Sequence, residues 1–136
     1  MATVPRPVTL TWERFPTLTA ARARFGHRCC VYVQADRRGN AVRVGMASKG
    51  LVARYRGGTG YALDAAMHKS GNCVFVASVT AGLCGLVEAT LIYRHGDSLP
   101  YNTVGKRVAP TRALELLHEC DAPTFGVSKQ PSAAGT

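Results

Sequence analysis

Cys29-Cys-Val-Tyr-Val-Gln-Ala35 opens the stretch that decides the fold, and Asp36-Arg-Arg-Gly-Asn40 and Ala41-Val-Arg-Val-Gly-Met46 complete it. The first and last segments are rich in β-branched and aromatic residues, which favours strands. The polar segment between them contains Gly39, which tolerates the positive φ of a tight turn. The stretch therefore predicts a β-hairpin.

Downstream of the hairpin, the pattern predicts two helices, a strand and a longer helix. Ser48 is a candidate N-cap for a short helix that ends at Tyr55, and apolar residues recur at helical spacing over 61–69. Residues 73–80 are almost all apolar, so we expect a central strand there. A helix follows from about Gly82 to Arg94, with Glu88 beside its apolar face.

The flanks of this region give weaker signals. We expect a loose arm over 1–10, a helix over 12–25, a C-terminal helix over 110–120 and a disordered tail over 126–136. The length fits a single domain. The predicted fold class is α+β, with a small, mainly antiparallel three-stranded sheet flanked by helices and a core over about 29–104.

The charge balance favours a polyanionic partner. The chain has 17 Lys and Arg against 8 Asp and Glu, a formal charge of +9. Nucleic acid is the first partner that this excess suggests and an anionic membrane surface the second. No apolar run reaches the roughly 18 residues of a membrane span, and the N-terminus lacks a signal-peptide pattern. The five cysteines include no Cys-x-x-Cys pair, so we expect thiols in a reducing cytoplasm rather than a zinc ribbon or disulfide scaffold, and we interpret all five as core residues.

Five short motifs, in this order, resemble those of GIY-YIG endonucleases. Cys30-Val-Tyr32 is similar to the first motif of the family, and Arg43-Val-Gly45 is similar to the second. Arg54, on the next predicted helix, stands where the family has an arginine. The other two motifs are Glu88-Ala-Thr-Leu-Ile92 and Pro100-Tyr-Asn102. The resemblance covers about residues 29–104.

Two positions depart from the family pattern. Cys30 replaces the first glycine, which is a mild change because a small residue is retained. Arg43 replaces the tyrosine of the second motif, whose hydroxyl usually belongs to the site. Arg43 is either an adapted catalytic cation or a decayed site position.

The resemblance implies metal-dependent hydrolysis of DNA phosphodiester bonds. Glu88 would hold one Mg²⁺ or Mn²⁺, since Mg²⁺ keeps most of its waters and takes few protein ligands. Tyr32 would orient or deprotonate the attacking water, and Arg54 would neutralise phosphoryl oxygens. Arg43 would add positive charge, and Asn102 would position the loop or the glutamate. Each residue also has an ordinary structural alternative, such as packing for Tyr32 or a turn for Asn102.

Basic residues in predicted loops border this set and would contact phosphates without reading sequence. They are Arg37, Arg38, Lys49, Arg56, Lys69, Lys106 and Arg107. We expect DNA rather than RNA, no membrane, and a cytoplasmic protein that associates with the nucleoid when bound to DNA. One alternative is a catalytically reduced domain of the same fold that only binds nucleic acid. A basic interaction module unrelated to nucleic acid is a third possibility.

Overall fold

The computed structural model describes residues 7–54, 73–100, 102, 110 and 114–126, without the side chains of residues 53 and 54. These residues form an α+β fold. The elements in chain order are β1 (Val8–Phe15), α1 (Leu18–Phe25), β2 (Cys30–Ala35), β3 (Ala41–Ala47), α2 (Leu51–Arg54), β4 (Cys73–Ser78), α3 (Ala81–His95) and β5 (Leu116–Cys120). A short 3-10 turn, Gly96–Ser98, follows α3 directly.

The sheet has five strands in the order β3-β2-β4-β1-β5. β2 pairs antiparallel with both β3 and β4, so the predicted hairpin and the predicted central strand are confirmed. The prediction of three strands is wrong, because β1 adds to β4 in antiparallel orientation and β5 adds to β1 in parallel orientation. The fold is therefore α+β with a larger, mixed sheet.

β1 corrects the prediction for the N-terminal region. Leu10 and Trp12 are buried, with relative exposures of 0% and 1%, and Val8 packs partly buried against the same core. This alternation has the period of a strand, so the loose arm predicted up to residue 10 and the helix predicted from residue 12 are wrong there. The helix begins after Thr17, whose hydroxyl accepts a hydrogen bond from the Ala20 amide at 3.1 Å.

β5 corrects the prediction for the C-terminal region. The helix predicted over 110–120 is wrong for Leu116–Cys120, which pairs in register with Val8–Trp12 of β1. Pairing with a neighbouring strand has overridden a local sequence that favours a helix. Residues 111–113, the helix predicted over 61–69 and the tail from residue 127 onward lie outside the described residues.

The two faces of the sheet are covered by different helices. Cys30, Tyr32 and Val76 pack with Leu18 and Phe25 of α1, and Leu51 of α2 joins the same cluster. We call this the α1–α2 face. On the opposite side, a second cluster contains Val31, Val33 and Val44 of the sheet together with Cys84, Val87 and Leu91 of α3. This is the α3 face, and the division decides which predicted site residues can meet.

Candidate functional site

Tyr32 and Gly45 fit together across the hairpin. They are direct partners in the antiparallel register of β2 and β3. A Cβ atom placed on Gly45 would lie 2.4 Å from Cζ and 2.5 Å from Oη of Tyr32. The phenol therefore lies over the backbone of β3 and occupies the space that a side chain at position 45 would need. With a relative exposure of 0%, Tyr32 is fully buried.

Asn102 fastens the outer edge of β3. Its Nδ2 donates to the Val44 carbonyl at 3.0 Å, and its Oδ1 accepts from the Val44 amide at 2.8 Å. Both backbone groups of an edge residue are thus satisfied by one side chain. Asn102 and Val44 are buried, at 7% and 1% exposure, so these bonds are shielded from water. Asn102 is a positioning residue for β3.

Glu88 approaches β3 from the α3 face. It is half-buried on α3, which packs against β3 and β2. A Cβ atom on Gly85 would lie 3.9 Å from Sδ of Met46 in β3. Because residues three apart are neighbours on a helix surface, Glu88 lies on the β3 side of α3. Its charge also contributes to raising the pKa of Cys84, one turn earlier.

Arg43 and Arg54 belong to the other side of the sheet. Arg43 precedes Gly45 by two residues, so both face the α1–α2 side that holds the Tyr32 ring. Arg43 is half-buried. Arg54 is the last residue of α2. The Val52 amide of this helix donates a hydrogen bond to the Gly26 carbonyl at 3.1 Å. The side chain of Arg54 lies outside the described part of the structure.

Tyr32, Arg43 and Asn102 lie on or directly against residues 43–45 of β3, whereas Arg54 and Glu88 belong to the helices α2 and α3, which pack against this strand. We call the five residues the β3 edge site: Tyr32, Arg43, Arg54, Glu88 and Asn102. The structure brings Tyr32 and Arg43 to the α1–α2 face of the sheet. Asn102 is hydrogen-bonded to Val44 of β3. The structure does not bring Tyr32 and Glu88 to the same face. A substrate group in contact with both would have to pass around the outer edge of β3.

Among the predicted phosphate-binding residues, Arg37, Arg38 and Lys49 are exposed in turns at the two ends of β3. Arg56, Lys69, Lys106 and Arg107 lie outside the described residues. The described part contains no group of three or more His, Cys, Asp or Glu side chains that could hold a metal ion. It also contains no helix that is long and apolar enough to cross a membrane.

The cysteines are free thiols, and three of them are buried. Burial raises the pKa of Cys30 to about 12, and burial with nearby Cys29 raises that of Cys84 to about 12. The Cys84 thiol is therefore protonated at neutral pH, and it donates to the Cys30 carbonyl at 3.3 Å. The interpretation of all five as core residues is wrong for Cys120, which is exposed.

Sequence reasoning missed the aromatic cluster on the β5 side. The indole Nε1 of Trp12 donates to Nδ1 of His118 at 3.0 Å, and Phe125 stacks on His95 with ring centroids 4.5 Å apart. The sequence alone indicates ordinary surface or helix-end positions for His118 and His95, and His95 does end α3. An alternation of apolar residues over 8–12 was the available signal, because it places Trp12 in a strand.

No family model matches this chain, and no curated protein and no solved structure matches it either.

Proposed function

We propose that this chain is a GIY-YIG-like endonuclease that hydrolyses DNA phosphodiester bonds with the help of one divalent ion. The contact between Tyr32 and Gly45 carries the proposal, because the two motif residues fit each other directly. A side chain at position 45 would overlap the phenol. This fit gives a physical reason for a tyrosine in one strand of the hairpin and a glycine opposite it in the other.

Two further observations support the proposal. The hairpin β2–β3, the short helix α2, the strand β4 and the helix α3 follow one another in the order that the motifs predict. The net charge of +9 favours a polyanionic substrate. In this proposal the substrate is DNA rather than RNA, and the protein works in the cytoplasm at the nucleoid.

The donor set near Glu88 fits a hard divalent ion, Mg²⁺ or Mn²⁺. Glu88 provides one carboxylate on the β3 side of α3. Cys84, one turn before Glu88, keeps its proton because burial raises its pKa to about 12, so it supplies no thiolate for a softer ion such as Zn²⁺. When bound, the ion supplies charge stabilisation and an activated water for attack on phosphorus.

The other residues of the β3 edge site act on the phosphate or on the strand. Arg43 would neutralise non-bridging oxygens with its guanidinium group as the bond to the leaving oxygen breaks, and the same role stays a prediction for Arg54. Asn102 holds β3 through both backbone groups of Val44 and so keeps Arg43 in place. Exposed Arg38 and Lys49 lie beyond opposite ends of β3 and would contact phosphates on either side of the site.

A second candidate, a domain that binds nucleic acid without cleaving it, is favoured by the burial of Tyr32. Its hydroxyl has no exposed surface, and its ring lies on the face opposite α3 and Glu88. Tyr32 would then pack the hairpin instead of orienting water. Arg43 in place of tyrosine favours the same alternative, because the second hydroxyl of the motif is missing.

Plasmid nicking in the presence of Mg²⁺ or Mn²⁺ tests the proposal. We expect cleavage by the wild-type protein and its loss in Glu88→Gln, while DNA affinity stays equal or rises because one negative charge is removed. The matched control is Glu119→Gln, an exposed glutamate at the distant β5 edge, which should cleave like the wild type. Equal cleavage by the Glu88→Gln and wild-type proteins would exclude Glu88 as a ligand.

Arg43→Tyr separates the two candidates. If Arg43 is an adapted catalytic cation, the substitution lowers the cleavage rate. If it is a decayed position, restoring the hydroxyl raises or starts cleavage. A protein that binds DNA but cuts with neither ion, before and after Arg43→Tyr, fits only the binding domain.

A further inference from the structure

The turn between β2 and β3 is a rigid platform that presents arginines. The Asp36 carboxylate accepts hydrogen bonds from the amide of Arg38 at 2.8 Å, the amide of Asn40 at 3.0 Å and the side-chain amide of Asn40 at 3.2 Å. Gly39 follows with a φ of 87°, which a glycine adopts without strain. Asp36 is therefore committed to the backbone of its own turn, and Arg37 and Arg38 extend from it into solvent.

β1 adds a third arginine to this platform. Nη2 of Arg14 donates to the carbonyl of Arg37 at 3.3 Å, and the Arg14 guanidinium lies 5.6 Å from the centre of the Phe75 ring. A Cβ atom on Gly39 would be 3.9 Å from Nη1 of Arg14, so the guanidinium rests against the turn. Arg14 is exposed, like Arg37 and Arg38. We call these three residues the turn patch.

No ion pair within the described part of the chain involves an arginine of the turn patch. The ion pair found there joins Arg24 and Glu13, whose Nε and Oε1 atoms are 3.3 Å apart, and it involves none of the three arginines. Asp36 is the nearest acid in sequence to two of them; its oxygens accept from two backbone amides and from the Asn40 side chain, and its charge interacts with that of Arg38. Three exposed guanidinium groups thus share one end of the sheet.

We propose that the turn patch binds the phosphate backbone of DNA, with Arg14 supplied by a strand that the predicted nuclease core does not include. This inference rests on the proposed function for its partner. The turn patch adds a contact surface at the N-terminal end of β3. Guanidinium groups suit phosphates because their planar array of donors matches the oxygens, and the Phe75 ring holds that of Arg14 in place.

The position of the patch fits one continuous nucleic-acid backbone. Ala41 begins β3, and Arg43 lies two residues further along it. At about 3.3 Å per residue, the end of the turn and Arg43 are about 7 Å apart along the strand. One strand of duplex DNA advances about 3.4 Å per phosphate along the helix axis, so two or three phosphates span that distance. The turn therefore lies within a few phosphates of Arg43, while Arg14, over Phe75, lies on the α3 face with Glu88, so a bound backbone would meet Arg43 and Arg14 from opposite faces of the sheet.

Fluorescence anisotropy of a short labelled DNA duplex, measured over a series of salt concentrations, tests the patch. Each of Arg14→Gln, Arg37→Gln and Arg38→Gln should reduce the slope of log affinity against log salt by about 0.9, and the triple variant by about three times as much. Arg14→Lys keeps the charge and should retain the wild-type slope. Circular dichroism of each variant establishes that it is folded before its slope is compared.

Arg24→Gln is the matched control. Arg24 is also exposed and lies 5.8 Å from the centre of a phenylalanine ring, that of Phe25, but Glu13 already pairs with it. Its loss should leave the slope unchanged. A triple variant with the wild-type slope would overturn the turn patch and leave the nucleic-acid function standing. A wild-type protein that binds anionic vesicles but no DNA would overturn both.

Discussion

The two sides of the sheet are held by hydrogen bonds from different kinds of side chain. At the β3 edge, the side-chain amide of Asn102 makes two hydrogen bonds to Val44, and all of these groups are buried. At the opposite side, the indole of Trp12 donates one bond to the imidazole of the partly exposed His118 in β5. An amide does not titrate in the physiological range, whereas an imidazole does.

The difference separates the proposed site from the Trp12–His118 contact, which depends on a titratable imidazole. Every residue of the β3 edge site lies on β2, β3, α2, α3 or next to β3, and none belongs to β1 or β5. The β5 edge is held instead by the Trp12–His118 bond, strand pairing and Phe125. We therefore expect substitutions at the β3 edge to cost more stability than those at the β5 edge, and pH to act mainly on the latter.

Removing the Asn102 amide should give the largest effect. Asn102→Leu keeps the volume but leaves the buried amide and carbonyl of Val44 without their partner. Each unsatisfied group costs about 1–3 kcal/mol, so the free energy of unfolding should fall by about 4 kcal/mol in urea denaturation.

Asn102→Asp sharpens this test, because an ionised carboxylate accepts from the Val44 amide but cannot donate to its carbonyl. A protonated carboxyl group can do both, so the penalty of Asn102→Asp should shrink as pH falls. The Asn102→Leu penalty should not depend on pH. A Leu variant as stable as the wild type would show that β3 does not need this fastening.

Gly45→Ala should have the next largest effect. The added Cβ would overlap the far end of the Tyr32 side chain, which is fully buried. Overpacking of this kind costs about 3 kcal/mol, measured by the same denaturation. Gly82→Ala is the control, because nothing lies within 4 Å of a Cβ at that position and stability should hold or rise slightly.

A double variant links the Gly45 effect to Tyr32. Tyr32→Leu removes the atoms that collide, so Tyr32→Leu with Gly45→Ala should be about 2 kcal/mol less destabilising than the sum of the single changes. Additive costs would mean that the glycine is required for another reason.

The sequence predicted the part of the molecule in which local pattern and pairing agree. The hairpin was found from its β-branched and aromatic residues around a glycine turn, β4 from its continuous apolar run, and α3 from apolar residues at helical spacing. The contact between Tyr32 and Gly45 could not be predicted from the motifs, which name both residues but do not say that they lie opposite each other. The contact became visible only from the register of β2 and β3. The sheet faces were also out of reach, because alternation predicts opposite sides but not which helix covers each.

β1 and β5 were missed for a related reason. Leu114-Glu-Leu-Leu117 favours a helix locally, and only pairing with Val8–Trp12 makes Leu116–Cys120 a strand. That pairing joins segments more than a hundred residues apart, which no local window contains. The sequence predicted a positioning role for Asn102. That its side chain makes hydrogen bonds to Val44 is known only from the tertiary structure.

The smallest predicted effect is a pH response at the β5 edge. Nδ1 of His118 accepts the Trp12 hydrogen bond, so the bond requires that this nitrogen carry no proton. Desolvation lowers the pKa of His118 below its ordinary value of 6.5, and nearby His95 and Arg94 of α3 act in the same direction. The stability that depends on neutral His118 is therefore complete above about pH 6.5 and is lost as pH falls through the lowered pKa.

His118→Gln isolates this contribution, because a glutamine oxygen can accept from Trp12 and does not titrate in this range. We expect the difference in unfolding free energy between the wild-type and His118→Gln proteins to change by about 1 kcal/mol or less between neutral and mildly acidic pH, the size of one partly exposed hydrogen bond. Carboxylates titrate equally in both proteins and cancel in that difference. Trp12 is the sole tryptophan of the chain, so its fluorescence reports on the contact itself. The β3 edge is held by the Asn102 amide, which does not titrate, so the stability lost in Asn102→Leu should be the same at neutral and mildly acidic pH. If that loss changed with pH as much as the His118→Gln difference does, the two edges would not differ in their response to pH.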